Sequence, residues 1–202
     1  MAKLLLYYAH PGHRHSRVNK SMAKAAQKIN GITFVDLYSD YPRHNINVER
    51  EQQRLLDHDV VMFQFPLFWY STPSLIKEWQ DLVLEHGFAY GSGGDNLAGK
   101  TMMLALTAAG SEEAYTTNGY QHFPLRTFLT PQEQTARLCK MSFAAPYVLH
   151  SSLQVSEADE IAAHVEGYVR LLKAIRDDRY SFDGDSHRER VTYADIPLYE
   201  EA

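Results

Sequence analysis

The sequence predicts an α/β protein: a doubly wound parallel sheet of five strands with helices on both faces. Three observations carry this expectation. Short apolar runs at residues 4–9, 32–37, 60–65, 101–106 and 147–149 read as strands. The first, LLLYYA, has no helical period and suits a strand buried on both faces. Helix-patterned segments alternate with these runs, so successive strands are joined by crossovers and lie parallel. The loops after the first, third and fourth strands carry unusual residues, and the carboxyl ends of strands are where such a sheet binds its ligand.

The elements follow in order. After residues 4–9 comes a turn with Pro11 and Gly12. Ser16 is then the expected N-cap of a helix with Val18, Met22, Ala25 and Ile29 on one stripe, and Gly31 is its expected stop. Residues 32–37 alternate partly, as a second strand. Residues 48–57 are polar and helical, with Leu55 and Leu56 expected inward. The third strand, VVMFQF, precedes an amphipathic helix over 74–86. Its Leu75, Ile76, Trp79, Leu82, Val83 and His86 share a face, and Gly87 closes it. A helix over 131–141 separates the fourth and fifth strands. Ser156 and Asp159 approximate a capping box for a last helix reaching about Asp177, with Ile161, Val165, Tyr168, Leu171 and Leu172 inward. Residues 1–178 are thus expected to form one domain. Residues 179–202 have little apolar periodicity and read as an extended tail, either disordered or lying on a partner subunit.

Composition narrows the function classes. A chain of 202 residues is long enough to bury roughly 70% of its unfolded surface. Its net charge of -5 argues against general nucleic-acid binding. The single cysteine, Cys139, allows no intrachain disulfide, which suits a reducing compartment. No apolar stretch reaches membrane-spanning length, and no basic segment precedes an apolar leader. The expected location is the cytoplasm, which leaves room for docking on a membrane protein.

Three loops carry candidate chemistry. The first, HPGHRHSRVN, joins a strand to a helix N-terminus, where unpartnered N–H groups and the helix dipole favour an anion. Ser16, Asn19, Arg14 and Arg17 suit a phosphate. The second, PLFWYSTP at residues 66–73, sets three aromatic residues directly after a strand. Such a loop lies along a flat ring or forms a dimer contact; both readings stand. In the third, at residues 107–119, Ala108, Ala109 and Gly110 let a ligand approach the backbone. Tyr115 offers a phenol to a ligand oxygen or to developing negative charge.

Other features point away from alternative chemistries. His10, His13 and His15 lack a matching carboxylate cluster, so no metal is expected. His58, His86 and His164 read as packed or helix-surface residues. Cys139 has no paired base nearby in sequence. The glycines at 91–94 follow a helix rather than a strand, which fails the context of a dinucleotide fingerprint. There is no P-loop and no G-x-S-x-G element.

The stretches YAHPGHRHSRVN, FQFPLFWYSTPSLIKEWQDLVLEHGFAYGSGGDNLAGK and LTAAGSEEAYTTNGY, in this order, resemble the flavodoxin-like NAD(P)H:quinone oxidoreductases. Among these the chain looks most similar to the ancillary proteins of bacterial glutathione-gated potassium-efflux (Kef) systems. The resemblance spans about residues 3–175. It implies a flavodoxin-like fold and a bound FMN, with FAD the lesser alternative. It also implies NAD(P)H as electron donor, a quinone or another electrophile as acceptor, and two-electron transfer by a ping-pong mechanism. By position, His10, Ser16, Arg17, Val18 and Asn19 would hold the phosphate. Pro66, Leu67, Phe68, Trp69 and Tyr70 would line the isoalloxazine edge, and Thr107, Ala108, Ala109, Gly110 and Tyr115 its other side. The family further implies a homodimer, with Phe88, Tyr90 and Gln121 at the substrate pocket, and a potassium-efflux transporter as membrane partner. Two departures stand out. Ala108-Ala109 replaces a Gly-Gly pair, and Gln121 falls where a histidine is expected, with His122 one place later as the substitute. Tyr115 and His122 are the expected catalytic pair. The alternative is a non-catalytic regulatory subunit of a potassium/proton antiporter with weak or no flavin activity.

Overall fold

The computed structural model describes residues 1–12, 16–153, 158–183 and 188–199. Strand β1 (Leu4–Tyr8) lies between β2 (Ile32–Asp36) and β3 (Val60–Pro66). Next to β3 is β4 (Thr101–Thr107), which pairs along its edge with two short strands, β5 (Ser142–Phe143) and β6 (Tyr147–Leu149). All these pairings are parallel, and the order is β2-β1-β3-β4-β5. This is the shorter of the two common doubly wound layouts. The fifth strand is split. Pro146 lies in the gap and lacks the N–H a continuous ladder would use.

The helices are α1 (Val18–Ala26), α2 (Leu37–Asp40), α3 (Val48–Leu56), α4 (Ser74–Val83), α5 (Thr130–Leu138) and α6 (Ala158–Arg176). Alternate residues of β1 explain why its sequence is apolar throughout. Leu5 and Tyr7 enter a core with Leu55, Ile76 and Trp79 of α3 and α4. Leu4 and Leu6 enter the opposite core with Val18 and Met22 of α1 and Leu171 of α6. A strand covered on both faces has no solvent side to make polar.

Several boundaries and faces differ from expectation. Ser16 is not the N-cap: α1 starts from Arg17, and the Ser16 hydroxyl accepts from the Lys20 N–H at 3.1 Å. That bond still satisfies a first-turn donor. The helix ends at Ala26, and Gly31, at φ 84, instead serves the turn into β2. Leu56 and Leu82 are 43% and 42% exposed. The inward stripes are Glu51–Leu55 in α3 and Leu75–Trp79–Val83 in α4, and each exposed leucine lies one residue off its stripe. Helix α4 stops at Val83, before His86, because the chain turns back through Gly87 at φ 83, whose N–H donates to the Tyr90 carbonyl. Helix α5 likewise stops at Leu138. The expected cap at Ser156 lies outside the described residues.

Glu51 is fully buried on the polar helix α3. Its carboxylate accepts from the Tyr7 hydroxyl (2.5 Å), the Tyr41 hydroxyl, Trp79 Nε1 (3.2 Å) and Arg54 (2.7 Å). Burial first, and the Glu51 charge second, push the Tyr7 phenol well above its ordinary pKa.

The described part of the C-terminal arm lies on its own chain rather than reaching away from it. The Val191 N–H donates to the Pro146 carbonyl (2.8 Å), and the Val148 N–H donates to the Val191 carbonyl (3.0 Å). Val191 and Tyr180 are buried. An edge strand leaves ladder groups unpaired, and the arm supplies partners for those of β6.

Candidate functional site

Strands β1, β3 and β4 end on one edge of the sheet, and a cleft of roughly 290 Å³ opens there. His10, Gly12, Ser16, Arg17, Val18 and Asn19 line it from the first loop and the start of α1. Pro66, Leu67 and Phe68 line it from the second loop, and Thr107 and Ala109 from the third. The three segments singled out in the sequence therefore meet. His13, Arg14 and His15 lie outside the described residues.

Each side chain has a local cause. His10 is buried, and its Nδ1 accepts from the Gly12 N–H at 3.1 Å. The neutral ring then carries its proton on Nε2, as a donor. The His10 ring meets Phe68 edge-on at 5.8 Å. Asn19 is also buried, but its amide is already engaged: Nδ2 donates to Thr107 Oγ1 at 2.8 Å. Gln64 Nε2 donates to the Asn19 carbonyl at 2.9 Å, and the Tyr168 hydroxyl donates to Gln64 Oε1 at 3.2 Å. This chain of bonds fixes the start of α1 against the ends of β3 and β4.

The second loop turns on Phe68 and Ser71, whose N–H groups donate to each other's carbonyls at 3.1 and 3.0 Å. Between them Trp69 (φ 49) and Tyr70 (φ 64) are both left-handed. That is the geometry of a type I′ turn, which favours Asn and Gly. Two bulky aromatic residues there store strain, a feature common at binding sites. Trp69 is 93% exposed, while Tyr70 stacks on Phe128 with ring centroids 5.0 Å apart. Neither lines the cleft; only Phe68 of the three aromatic residues does.

The third loop partitions its residues. Ala108 is buried and its N–H donates to the Leu149 carbonyl at 2.8 Å, whereas Ala109 faces the cleft. At Gly110 a Cβ would meet the Tyr115 ring at 3.1 Å, so the absence of a side chain permits the close approach. Tyr115 lines a second pocket beside the cleft, packed near Phe128 (6.0 Å) and His150 (5.5 Å). Burial raises its pKa, and Tyr70 adds to the effect. Gln121 lies beside Gly110. His122 is exposed on a left-handed turn and lines neither cavity; Phe88 and Tyr90 are half-buried against the core and line neither.

Sequence reasoning missed Ser152, Leu153 and His150, all in the loop after β6. The position of that loop, at the carboxyl end of a strand beside β4, was the available signal. The Ser151 and Ser152 N–H groups donate to the Gly110 and Ala108 carbonyls (2.9 and 3.0 Å), which ties it to the third loop. Burial lowers the His150 pKa, only partly opposed by Glu112.

The lining suits a flat, phosphate-bearing ligand. One end combines a helix N-terminus, the Ser16 hydroxyl and the Arg17 guanidinium. The middle is the apolar edge from Pro66 to Phe68, and Ala109 presents only a methyl opposite. Residues 2–172 match the family described by its flavodoxin-like fold. The chain belongs to this family. The resemblance drawn from the three loops agrees with that match. A glutathione-regulated potassium-efflux system ancillary protein KefG, from Cronobacter sakazakii, is 42% identical over 171 residues, 85% of this chain and 92% of the relative. General stress protein 14 of Treponema denticola, solved in complex with FMN, is 34% identical with a TM-score of 0.80, covering 86% of this chain and 99% of that one. An NADPH-quinone reductase from P. pentosaceus is 26% identical with a TM-score of 0.73, covering 83% and 96%. The family match ends at residue 172, so the arm lies outside it. No described helix is long and apolar enough to cross a membrane.

Proposed function

We propose that this protein is an FMN-dependent NAD(P)H:quinone oxidoreductase and an ancillary subunit of a glutathione-regulated potassium-efflux system. The observation that carries this reading is the cleft formed by three strand ends in a chain 34% identical to a protein solved with FMN. The 42% identical KefG relative supports the ancillary role. That role places the protein in the cytoplasm, at the inner face of the membrane through its transporter.

In this reading Ser16, Arg17 and the N–H groups at Val18 and Asn19 hold the phosphate, and His10 donates from Nε2. Asn19 acts chiefly by fixing α1 to Thr107. Pro66, Leu67 and Phe68 bind the ring edge, and Ala109 closes the opposite side. FMN, when bound, supplies two-electron hydride chemistry between NAD(P)H and an acceptor. Donor and acceptor use one site in turn, which gives ping-pong kinetics. The Tyr115 phenol donates toward negative charge developing in the pocket. His122, exposed and away from both cavities, has no part in the chemistry of the single chain. Phe88 and Tyr90 serve the pocket of a second subunit in a homodimer.

A second reading, a regulatory subunit with weak turnover, is favoured by the Ala109 methyl facing the cleft and by the remote His122. Steady-state oxidation of NADPH and NADH with a quinone separates the two. The enzyme reading expects turnover that falls in Tyr115→Phe and is unchanged in His122→Ala. Binding of FMN without turnover, together with co-purification with the transporter, would favour the regulatory reading. Failure to bind FMN would overturn the enzyme reading.

A further inference from the structure

Gln64 is the one polar side chain of β3, and it is fully buried. Sheet packing alone would be served better by an apolar residue, which brings no group to satisfy. Its bonds account for the amide. Nε2 donates to the Asn19 backbone carbonyl at 2.9 Å and lies 3.3 Å from Asn19 Oδ1, and Oε1 accepts from the Tyr168 hydroxyl at 3.2 Å. The sense of the relay is fixed at the Asn19 carbonyl, which can only accept. Nε2 must face it, so Oε1 faces Tyr168, which donates. Asn19 Oδ1 then lies toward Gln64, and Nδ2 is left to donate to Thr107 Oγ1 at 2.8 Å. Tyr168 itself is fully buried on α6. Burial first, and Tyr147 second, raise its phenol well above the ordinary pKa, so the donor keeps its proton.

The relay ends at the phosphate end of the cleft. Asn19 and Thr107 line the cleft, whereas Gln64 and Tyr168 do not. Asn19 is the second residue of α1, and its N–H is one of those at a helix start that no carbonyl of the helix can reach. The residue that offers this N–H to an anion is thus clamped by both its carbonyl and its side chain. We propose that Tyr168 and Gln64 are positioning residues for the flavin phosphate, acting through Asn19 to preset the start of α1. The inference rests on the FMN reading and adds two residues that never touch the ligand. Presetting matters more for the phosphate than for the ring. Helix N–H bonds to an anion are directional, and a site that must first rearrange binds more weakly. The ring edge is held by apolar contacts with Pro66, Leu67 and Phe68, on a different segment.

The test compares FMN with riboflavin, which lacks only the phosphate. Both are titrated by flavin fluorescence into the cofactor-free, full-length protein. The wild type is expected to bind FMN more tightly than riboflavin. Tyr168→Phe removes one hydroxyl and keeps the packing of the ring. It should weaken FMN about fivefold, the worth of one hydrogen bond, and riboflavin less than about twofold. A second variant, Tyr168→Phe with Gln64→Met, separates positioning from core stability. It removes the amide together with the hydroxyl that satisfied it, so its stability in chemical denaturation should recover above that of Tyr168→Phe. Its preference for FMN over riboflavin should stay reduced, because nothing then holds Asn19 from the side of β3. Four results overturn the inference while leaving flavin binding standing. These are a wild type that binds both flavins equally, equal weakening of both in Tyr168→Phe, no weakening of either, and a phosphate preference that recovers along with stability in the double variant. A wild type that binds neither flavin overturns the inference and the FMN reading together. The expected pattern in a protein that turns over no quinone would keep the positioning role and overturn the reductase reading.

Discussion

Two polar, aromatic clusters of this molecule are built in opposite ways. Around Glu51, every partner points inward and is satisfied: Tyr7, Tyr41, Trp79 and Arg54 all donate to one buried carboxylate. At the carboxyl edge of the sheet, the backbone is left-handed at Trp69 and Tyr70, an indole stands in solvent, and the buried His150 Nδ1 has no partner. A satisfied cluster rigidifies a core. A strained and incompletely satisfied one is what remains when local stability yields to ligand binding. The difference separates a structural device from a candidate site, although both consist of aromatic rings beside ionisable groups.

The largest effect is expected from Glu51→Ala. It strands three buried donors and a guanidinium, and should cost about 3–5 kcal/mol in chemical denaturation. FMN affinity of the folded fraction should be unchanged. A loss below about 1 kcal/mol would mean the cluster is not the anchor described. Asn19→Ala comes next and joins the two properties. It removes the bond to Thr107 and should cost about 2 kcal/mol, with FMN bound about tenfold more weakly by fluorescence titration. A stability loss without a change in affinity would make Asn19 purely structural.

His164 sharpens the comparison, because it is buried and unpartnered yet remote from the strand ends. Both ring nitrogens lack a partner, and the ring stacks on Tyr147 at 4.6 Å. Burial lowers its pKa from 6.5 to about 4. The unfolded chain therefore takes up the proton first as pH falls. The resulting loss of stability is absent well above pH 6.5 and grows as pH falls toward 4. By pH 5 it should reach about 2 kcal/mol relative to neutral pH. His164→Phe should remove that difference, as measured by denaturation at pH 8 and pH 5, with little change at pH 8. An identical acid sensitivity in the variant would exclude His164 as its source. The smallest effect is expected at Trp69. Asn tolerates φ 49 better, and the exposed indole has little packing to lose, so Trp69→Asn should gain about 1 kcal/mol in chemical denaturation. A destabilised variant would show that the turn is not strained.

The same contrast explains what was legible in the sequence. Strands buried on both faces announce themselves as uninterrupted apolar runs, so β1, β3 and β4 were found nearly to the residue. The three site loops follow those strands, and their glycine, proline and aromatic residues stand out against ordinary connections. Glu51 was invisible, because nothing in a polar helix marks one glutamate as the partner of Tyr7, 44 residues away. Gln64 was hidden inside an apolar strand for the same reason. The resemblance assigns Trp69 and Tyr70 to the ring edge by position, whereas the left-handed turn that keeps both off the lining of the cleft depends on the Phe68–Ser71 pairing. Leu56 and Leu82 were misplaced because each lies next to an inward stripe rather than on it. The fold of the arm onto β6 depends on an unpaired strand edge, which only the assembled sheet creates.

The central claim is that the three-loop cleft holds FMN and uses it for two-electron transfer. The most direct test is the absorption spectrum of the purified protein, reconstituted with FMN and titrated anaerobically with NADPH. The account predicts flavin bands that bleach on NADPH addition and return on addition of a neutral quinone. A protein that stays colourless after incubation with FMN, or whose flavin bands ignore NADPH, would contradict it.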